Sequence, residues 1–265
     1  MCGVFGYFCR SPVSMQRILK LLQALEKDQC KEQDEKTPVG GHGAGVCFVN
    51  DSGKMVVYKI GKRNASPARD LSKFREVTQA KSTIVLGHVR RASKDFMDTI
   101  EYVAATQPYK VNCLGSSEIV SAHNGYVQEY IAIKNNFKES HQFESENGCF
   151  VDSEVIPHLF EENMVQCNDV IEARKDVFER LNGNNTVVLL SATKHSRLLH
   201  VLHKGQTRGM YVWKNNKGEI ILCSREDPVH KMFGHFLEEA SFKKVLSIGW
   251  QVDSELQQTY DLVHI

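Results

Sequence analysis

The chain has 265 residues, of which 42% are hydrophobic and 25% charged, and its formal net charge is +1. These values exclude a disordered chain and give no bulk positive field that would attract nucleic acid or an anionic membrane. Eight cysteines without a secretory leader predict a cytoplasmic protein with free thiols, and no apolar run is long enough to span a bilayer.

In chain order, the first half of the sequence alternates between one helix and several strands. The apolar run Cys2–Phe8 predicts a buried strand, and apolar residues at helical spacing predict a helix that ends near Lys27. The polar segment Gln29–Gly41 is expected to be a surface loop. Further strands are predicted at Gly43–Val49, Met55–Ile60, Ser82–Arg90 and Glu118–His123.

The second half begins with helices and then returns to strands. Helices are predicted after Asp152, over Asp169–Leu181 and over Asp227–Ala240. Strands are predicted at Thr186–Ala192, Arg197–His203, Met210–Lys214, Glu219–Cys223, Ser247–Val252 and Thr259–Val263. Strands in hairpin-like succession with two groups of helices predict an α+β fold, in which antiparallel sheets are covered by helices and residues 1–265 form one domain.

The second residue, Cys2, is the first candidate catalytic group. Removal of Met1 would leave a thiol and a free α-amine on one residue, with ordinary pKa values of about 8.5 and about 7.7–8.0. The amine can then accept the thiol proton, so that Cys2 supplies both nucleophile and base. The glycines Gly3 and Gly6 would leave room for a substrate beside the backbone. The alternative is an apolar strand in which Cys2 is a small core residue.

Three other segments carry polar residues that suit a substrate. Arg90 ends a predicted strand and can present its guanidinium to a carboxylate, although a surface ion pair is the simpler alternative. Asn124 and Gly125 can donate two hydrogen bonds to an oxyanion, or can simply form an Asn-Gly turn. Asp152 can bind an ammonium group, or can cap the helix that follows it.

Taken together, these groups predict a pocket for an amino acid with a side-chain amide. Arg90 would bind its carboxylate, Asp152 its ammonium, Asn124 and Gly125 its amide oxygen, and Cys2 would attack the carbonyl carbon. The amino acid that carries all these groups is glutamine. We expect loss of the Cys2 sulfur to abolish turnover and Asn124→Ala to leave a trace.

On these residues the chain resembles the class II glutamine amidotransferases. The matching segments are Cys2–Gly6, Gly87–Arg90, Ala122–Gly125 and Asp152–Ile156. The resemblance implies an αββα sandwich of two antiparallel sheets, with Cys2 at the end of a strand. It also implies that glutamine is cleaved through a γ-glutamyl thioester to give glutamate and ammonia.

The sequence departs from the family pattern at three places. Arg91–Asp95 replaces the aromatic residue and Thr-His-Gly of the sugar-synthase members, although Ser93 could still contact the glutamine carboxylate. Gln107-Pro108 stands where the family often has His-Pro, and Gly41–Gly45 replaces a longer Arg-Gly-x-Asp-Ser-Ala-Gly segment. These differences predict a divergent branch with different contacts around the substrate.

The glutaminase-sized unit nearly fills the chain, which leaves three functions open. Ammonia could pass to a separate synthase subunit, the enzyme could hydrolyse another γ-glutamyl amide or peptide, or the chain could be a non-catalytic subunit that binds a partner. An N-terminal-cysteine hydrolase of another acyl amide fits less well, because it would not need both Arg90 and Asp152. We expect no cofactor and no metal, since His195, His200 and His203 lack the spacing of a metal motif. The sequence is also compatible with a homo-oligomer.

Overall fold

The computed structural model describes residues 2–29, 37–115, 117–146, 148–193, 196–206, 209–249, 252–262 and residue 265. The helices and strands follow in the order β1 (Gly3–Ser14), α1 (Met15–Lys27), β2 (Gly43–Val49), β3 (Met55–Gly61), α2 (Pro67–Asp70), α3 (Arg75–Gln79), β4 (Lys81–Arg90), β5 (Tyr109–Val111), β6 (Glu118–Asn124), α4 (Tyr130–Asn135), α5 (Val155–Cys167), α6 (Val170–Arg180), β7 (Asn185–Ala192), β8 (Arg197–Gly205), β9 (Met210–Lys214), β10 (Ile220–Cys223), α7 (Glu226–Glu239), β11 (Lys243–Ile248) and β12 (Ser254–Asp261). Short 3-10 turns occur at Leu71–Lys73, Lys94–Thr99, Val103–Ala105 and Asp152–Glu154.

The strands form two antiparallel sheets. A seven-stranded sheet has the order β11-β9-β10-β1-β4-β2-β3, and a five-stranded sheet has the order β12-β8-β7-β6-β5. The first strand therefore lies inside the larger sheet, between β10 and β4. Because β1 and β4 are antiparallel, the start of β1 lies beside the end of β4, with Gly3 opposite Val89.

The side chains of β1 show how the layers are stacked. Val4 and Phe8 pack between the two sheets, against residues of the smaller sheet such as Val120. Phe5 and Tyr7 point to the other face, into a cluster formed with α1 and α7. Successive side chains of a strand alternate between its faces, so a strand buried on both sides reads as a continuous apolar run.

Helices cover the outer faces of both sheets. Helices α1 and α7 pack on the larger sheet, and α5 and α6 pack on the smaller sheet through a separate core that includes Phe160, Val177 and Leu189. The layers thus run helices, seven-stranded sheet, five-stranded sheet, helices. This arrangement confirms the predicted α+β fold of αββα type.

Most predicted elements lie within a few residues of those observed, but the two C-terminal strands do not. They were expected at Ser247–Val252 and Thr259–Val263, whereas β11 and β12 begin earlier. Residues 250, 251 and 263 lie outside the described residues. Both are edge strands whose exposed faces carry polar side chains, Lys243 and Lys244 in β11 among them, so an apolar run does not locate them. The pattern of apolar residues also failed to predict the short helices α2, α3 and α4 and the three-residue strand β5.

The predicted use of Gly3 and Gly6 was wrong. A Cβ atom on Gly3 would lie 2.7 Å from Leu25 Cγ, and one on Gly6 would lie 2.6 Å from Phe8 Cε2. Such distances are far shorter than atoms in packed interiors allow. These glycines let core side chains approach the backbone of β1, so they do not make room for a substrate.

Several expectations concern segments that the structure covers only in part. Residues 30–36 of the predicted polar loop Gln29–Gly41, and the discounted His195, lie outside the described residues. His200 and His203 are buried in the small sheet, where their rings bond Thr259 Oγ1 at 2.9 Å and Thr186 Oγ1 at 2.8 Å respectively. Within the described part of the chain, no helix is both long and apolar enough to cross a membrane.

Candidate active site

A cavity of about 220 Å³ opens where β1 begins and where β4 and β6 end. Its wall includes every residue that the sequence predicted for the site: Cys2, Arg90, Ser93, Asn124, Gly125 and Asp152. The larger sheet contributes the residues at the ends of β1 and β4, and the smaller sheet contributes those at the end of β6. Residues 122 positions apart in the chain therefore meet because the two sheets stack.

Cys2 is fixed at both its nitrogen and its sulfur. Its backbone nitrogen donates a hydrogen bond to Asn124 Oδ1 at 3.0 Å. Its sulfur lies 3.3 Å from the Arg91 N–H, which donates to it, and 3.5 Å from the Arg91 carbonyl oxygen. These two contacts with the Arg91 backbone hold the sulfur in place at the wall of the cavity. Cys2 is half-buried rather than sealed in the core, which argues against the structural alternative.

Asn124 and Gly125 lie at the end of β6 and face Cys2 across the gap between the sheets. The side-chain amide oxygen of Asn124 accepts the hydrogen bond from the Cys2 nitrogen. The NH₂ group of the same side chain is therefore the part that can donate a hydrogen bond to a substrate. A Cβ atom at Gly125 would lie 2.3 Å from Asn185 Oδ1 and 2.4 Å from His123 Nε2. Close packing therefore requires glycine at this position, whatever turn the chain makes.

A hydrogen-bond network that sequence reasoning missed holds the end of β6. Gln107 bonds the backbone of His123 twice, with its Oε1 accepting from the N–H at 2.6 Å and its Nε2 donating to the carbonyl at 3.1 Å. The His123 ring contacts Ser153 Oγ at 2.9 Å and Asn185 Oδ1 at 2.8 Å. Three of these residues carried a sequence signal, because Gln107 stood out before Pro108 and because His123 and Ser153 lie in the matching segments Ala122–Gly125 and Asp152–Ile156. None of these signals revealed the bonds between them.

Asp152 does not cap α5, contrary to the simpler alternative. It begins the 3-10 turn that precedes the helix, and its Oδ2 accepts a hydrogen bond from the distant Val127 N–H at 2.7 Å. Burial raises the pKa of Asp152 from 3.8 to about 7, against the opposing effect of its hydrogen bonds. A buried carboxyl of this kind gains most from a cationic partner, because the partner stabilises the charged form.

Arg90 is buried, which excludes the alternative of a surface ion pair. Its Nη1 donates to the Thr99 carbonyl at 3.0 Å, and its Nη2 donates to Thr99 Oγ1 at 2.6 Å. Each terminal nitrogen of a guanidinium carries a second N–H, so both nitrogens keep donor capacity. Ser93 is exposed at the rim of the cavity, where a 3-10 turn begins after it.

The divergent segment around His42 supports the loop that follows β4. His42 Nδ1 accepts a hydrogen bond from the Ala92 N–H at 3.2 Å, and the His42 N–H donates to the Arg90 carbonyl at 2.9 Å. Burial and the nearby cationic Arg91 lower the pKa of His42 to about 4. The ring is therefore neutral near pH 7 and can accept this bond, which helps to hold Arg91 against the Cys2 sulfur.

Comparison with known proteins gives the same class as the geometry. A family model described as a glutamine amidotransferase domain matches residues 95–231, more than half of the chain. The glutamine–fructose-6-phosphate aminotransferase (isomerizing) of Pyrobaculum aerophilum is 29% identical over 195 residues, covering 72% of this chain and 28% of that protein. Its counterpart from Pyrococcus horikoshii is 26% identical over 225 residues, covering 84% of this chain and 32% of that protein.

A solved structure agrees in fold. Glutamine phosphoribosylpyrophosphate amidotransferase from B. subtilis matches with a TM-score of 0.63 at 16% identity, covering 100% of this chain and 50% of that one. The chain thus shares the fold of that amidotransferase. The chain belongs to the glutamine amidotransferase domain family, as an enzyme domain of its class II. It spans less than a third of the length of the two curated relatives given above.

Proposed function

We propose that the chain hydrolyses the side-chain amide of glutamine through a thioester on Cys2, and that the ammonia passes to a partner synthase. The observation that carries this proposal is the meeting of Cys2, Asn124 and Asp152 in one cavity. A nucleophile, an oxyanion donor and a cation site are the three things that this reaction needs.

Glutamine would bind through its two charged groups. Its ammonium would lie against Asp152, whose pKa burial raises to about 7. Its carboxylate would take the remaining N–H groups of Arg90 and the hydroxyl or backbone of Ser93. Thr99 holds the Arg90 guanidinium in place, so little side-chain entropy would be lost on binding.

The chemistry would require removal of Met1, which lies outside the described residues. The free Cys2 amine would then accept the thiol proton, and the sulfur would attack the amide carbon. The Asn124 NH₂ and the Gly125 N–H would hold the oxyanion, while Asn124 Oδ1 keeps the amine oriented at 3.0 Å.

The intermediate would break down in two steps. The amine would pass its proton to the departing nitrogen as the C–N bond breaks, which releases ammonia and leaves the γ-glutamyl thioester. Water would then attack the thioester, the C–S bond would break, and glutamate would leave. Each step uses the same amine alternately as base and acid.

The fate of the ammonia belongs to the proposal as well. The curated relatives are named as aminotransferases of fructose 6-phosphate, and this chain spans only 28% and 32% of their lengths. We propose that residues 1–265 form a single glutaminase domain of a cytoplasmic protein, and that a synthase subunit receives its ammonia.

The test combines turnover with covalent labelling of the full chain. Intact mass first establishes whether Met1 is removed. Wild type should release ammonia and glutamate from glutamine, and Cys2→Ala should release none above background. Asn124→Ala should lose about 10²- to 10³-fold in kcat, the usual effect of removing one oxyanion donor. Cys167→Ser, which changes an exposed thiol, is the matched control and should retain full activity.

Labelling makes the test independent of a partner subunit. A diazoketone analogue of glutamine should add once to wild type and not to Cys2→Ala, with the adduct on residue 2. Equal ammonia release by wild type and Cys2→Ala would overturn the assignment of Cys2. An adduct on another cysteine, or none on a wild type that lacks Met1, would do the same.

A further inference from the structure

A second group of reactive side chains lies away from the cavity, on the outer side of the smaller sheet. It consists of Cys113 after β5, His141 after α4, and His158 and Glu161 on α5. The ligand atoms of all four, one from each residue, lie within 4.8 Å of one another. We propose that these four side chains bind one zinc ion, a role that is separate from the proposed glutaminase chemistry.

Three of the six distances between the ligand atoms are close to those of a tetrahedral zinc site. His158 Nδ1 lies 3.2 Å from His141 Nδ1 and 3.7 Å from Cys113 Sγ, and His141 Nδ1 lies 3.6 Å from Glu161 Oε2. Zinc–nitrogen bonds of about 2.0–2.1 Å and zinc–sulfur bonds of about 2.3 Å place tetrahedral ligand atoms about 3.3–3.6 Å apart. The three distances lie close to that range.

Surrounding contacts direct the lone pairs of two ligands into the cluster. His141 Nε2 lies 3.1 Å from Glu162 Oε2; if this nitrogen carries the ring proton, Nδ1 is left as an acceptor. Glu161 Oε1 accepts from the Leu114 N–H at 2.9 Å, and its buried Oε2 has no hydrogen-bond partner among the described residues. Histidine residues that bind a metal commonly donate a hydrogen bond from their other ring N–H to a carboxylate in this way.

Charge and donor type select zinc among the common ions. A thiolate and a carboxylate with two neutral imidazoles carry two negative charges, which a divalent ion would neutralise in this partly buried cluster. Mixed sulfur and nitrogen donors in a tetrahedron suit zinc, whereas Mg²⁺ and Ca²⁺ prefer oxygen. Four protein ligands leave no open position, so the ion would be structural rather than catalytic.

The ion would join three segments that are distant in the chain. It would tie the loop after β5 and the loop after α4 to helix α5, and α5 directly follows the turn that carries Asp152. The described residues of both loops form no strand or helix. Zinc that binds only the folded state would therefore stabilise, by mass action, the packing of these loops and α5 on the small sheet.

The test uses the full chain, freed of metal by a chelator and titrated with Zn²⁺ or Co²⁺ alone. Wild type should bind one zinc per chain, and a hundredfold to thousandfold excess over the dissociation constant should raise Tm by about 5–15 °C. Bound Co²⁺ should show intense visible bands of a tetrahedral site and a thiolate-to-cobalt charge-transfer band.

Variants assign the site within the chain. Cys113→Ser should lose the charge-transfer band, and Glu162→Gln should weaken zinc binding about 10- to 100-fold by removing the partner of His141. Cys167→Ser changes the last residue of α5, the helix that carries His158 and Glu161, and should behave as wild type. A band that persists in Cys113→Ser would overturn the proposal. If Cys113→Ser does not fold, the wild type decides alone, because a folded chain that binds Co²⁺ without that band contradicts the site.

Discussion

Helices α1 and α5 have the same length of 13 residues, yet they cover their sheets in different ways. The buried residues of α1 are apolar apart from one carboxylate: Met15, Ile18, Leu19, Leu21, Leu22, Leu25 and Glu26. The first nine residues of α5 are all buried, and four of them are polar: His158, Glu161, Glu162 and Asn163. Helix α1 thus has an apolar face and a solvent-exposed face, whereas the first nine residues of α5 are buried on all sides.

The reason is what lies on the outer side of each helix. The outer face of α1 carries exposed residues such as Gln16 and Lys20. The outer side of α5 is covered by two irregular segments, the loop after β5 and the loop after α4, whose backbone N–H groups need acceptors. Glu161 accepts from the Leu114 N–H at 2.9 Å, and Glu162 accepts from the Lys138 N–H at 3.0 Å. Packing thus fixes the α1 layer, and hydrogen bonds to carboxylates order the α5 layer.

The largest effect should come from the packed layer. Leu22 is fully buried and fills the space that a Cβ atom on Gly87 would occupy, at 2.9 Å. Leu22→Ala should lower the free energy of unfolding by about 2–5 kcal/mol, because a cavity is left beside β4. Denaturant unfolding at pH 6 and pH 8 should give the same loss. Lys20→Ala, on the exposed face, is the control, and a loss below about 1 kcal/mol at Leu22 would contradict a layer fixed by packing.

The α5 layer should instead respond to pH, through Asp152 in the 3-10 turn that precedes α5. Asp152→Asn should raise KM for glutamine about 10- to 150-fold. This range corresponds to the loss of one hydrogen bond to a charged group, which contributes about 1.5–3 kcal/mol. In wild type, KM should rise as pH falls below about 7, because binding needs the carboxylate and burial raises the pKa of Asp152 to about 7. Asp98→Asn, which changes an exposed carboxylate, should show the wild-type KM profile.

Stability should change in the opposite direction at Asp152. A folded pKa above the unfolded value means that protonated Asp152 stabilises the fold, and that this contribution is lost as pH rises from about 4 through about 7. Asp152→Asn should therefore be more stable than wild type at pH 8, while the two should converge near pH 4. Unfolding curves across this range measure the difference. Equal stability at both pH values would mean that burial does not raise the pKa of Asp152.

The smallest effect should come from a polar contact of the packed layer. At the end of α1, Asp28 Oδ2 lies 2.7 Å from Arg225 Nε, next to the start of α7. Both side chains are partly exposed, so Asp28→Asn should cost at most about 1 kcal/mol, and the difference should vanish in about 1 M salt. Asp51→Asn, at an exposed turn, should cost less still. A salt-independent loss of several kcal/mol would mean that α1 also depends on buried charge.

Sequence reasoning succeeded where a residue and its neighbours in the chain were enough. Helix α1 and strands β2, β4 and β6 were predicted to within about one residue, because periodicity is a local property. It failed at β11 and β12, where sheet-edge position permits polar side chains. It also missed the hydrogen-bond network of Gln107, Ser153 and Asn185, since their shared partner His123 lies 16, 30 and 62 positions away.

The sequence by itself determined the class of the molecule and the chemical identity of its candidate site. Cys2, Asn124 and Asp152 have the groups that amide hydrolysis needs, and such chemistry can be read from residue types. Only the tertiary structure decided that these groups share one cavity, that Gly3 serves packing, and that Cys113 lies beside His158. Stacking two sheets and enclosing α5 create proximities between distant positions, which no local pattern in the chain records.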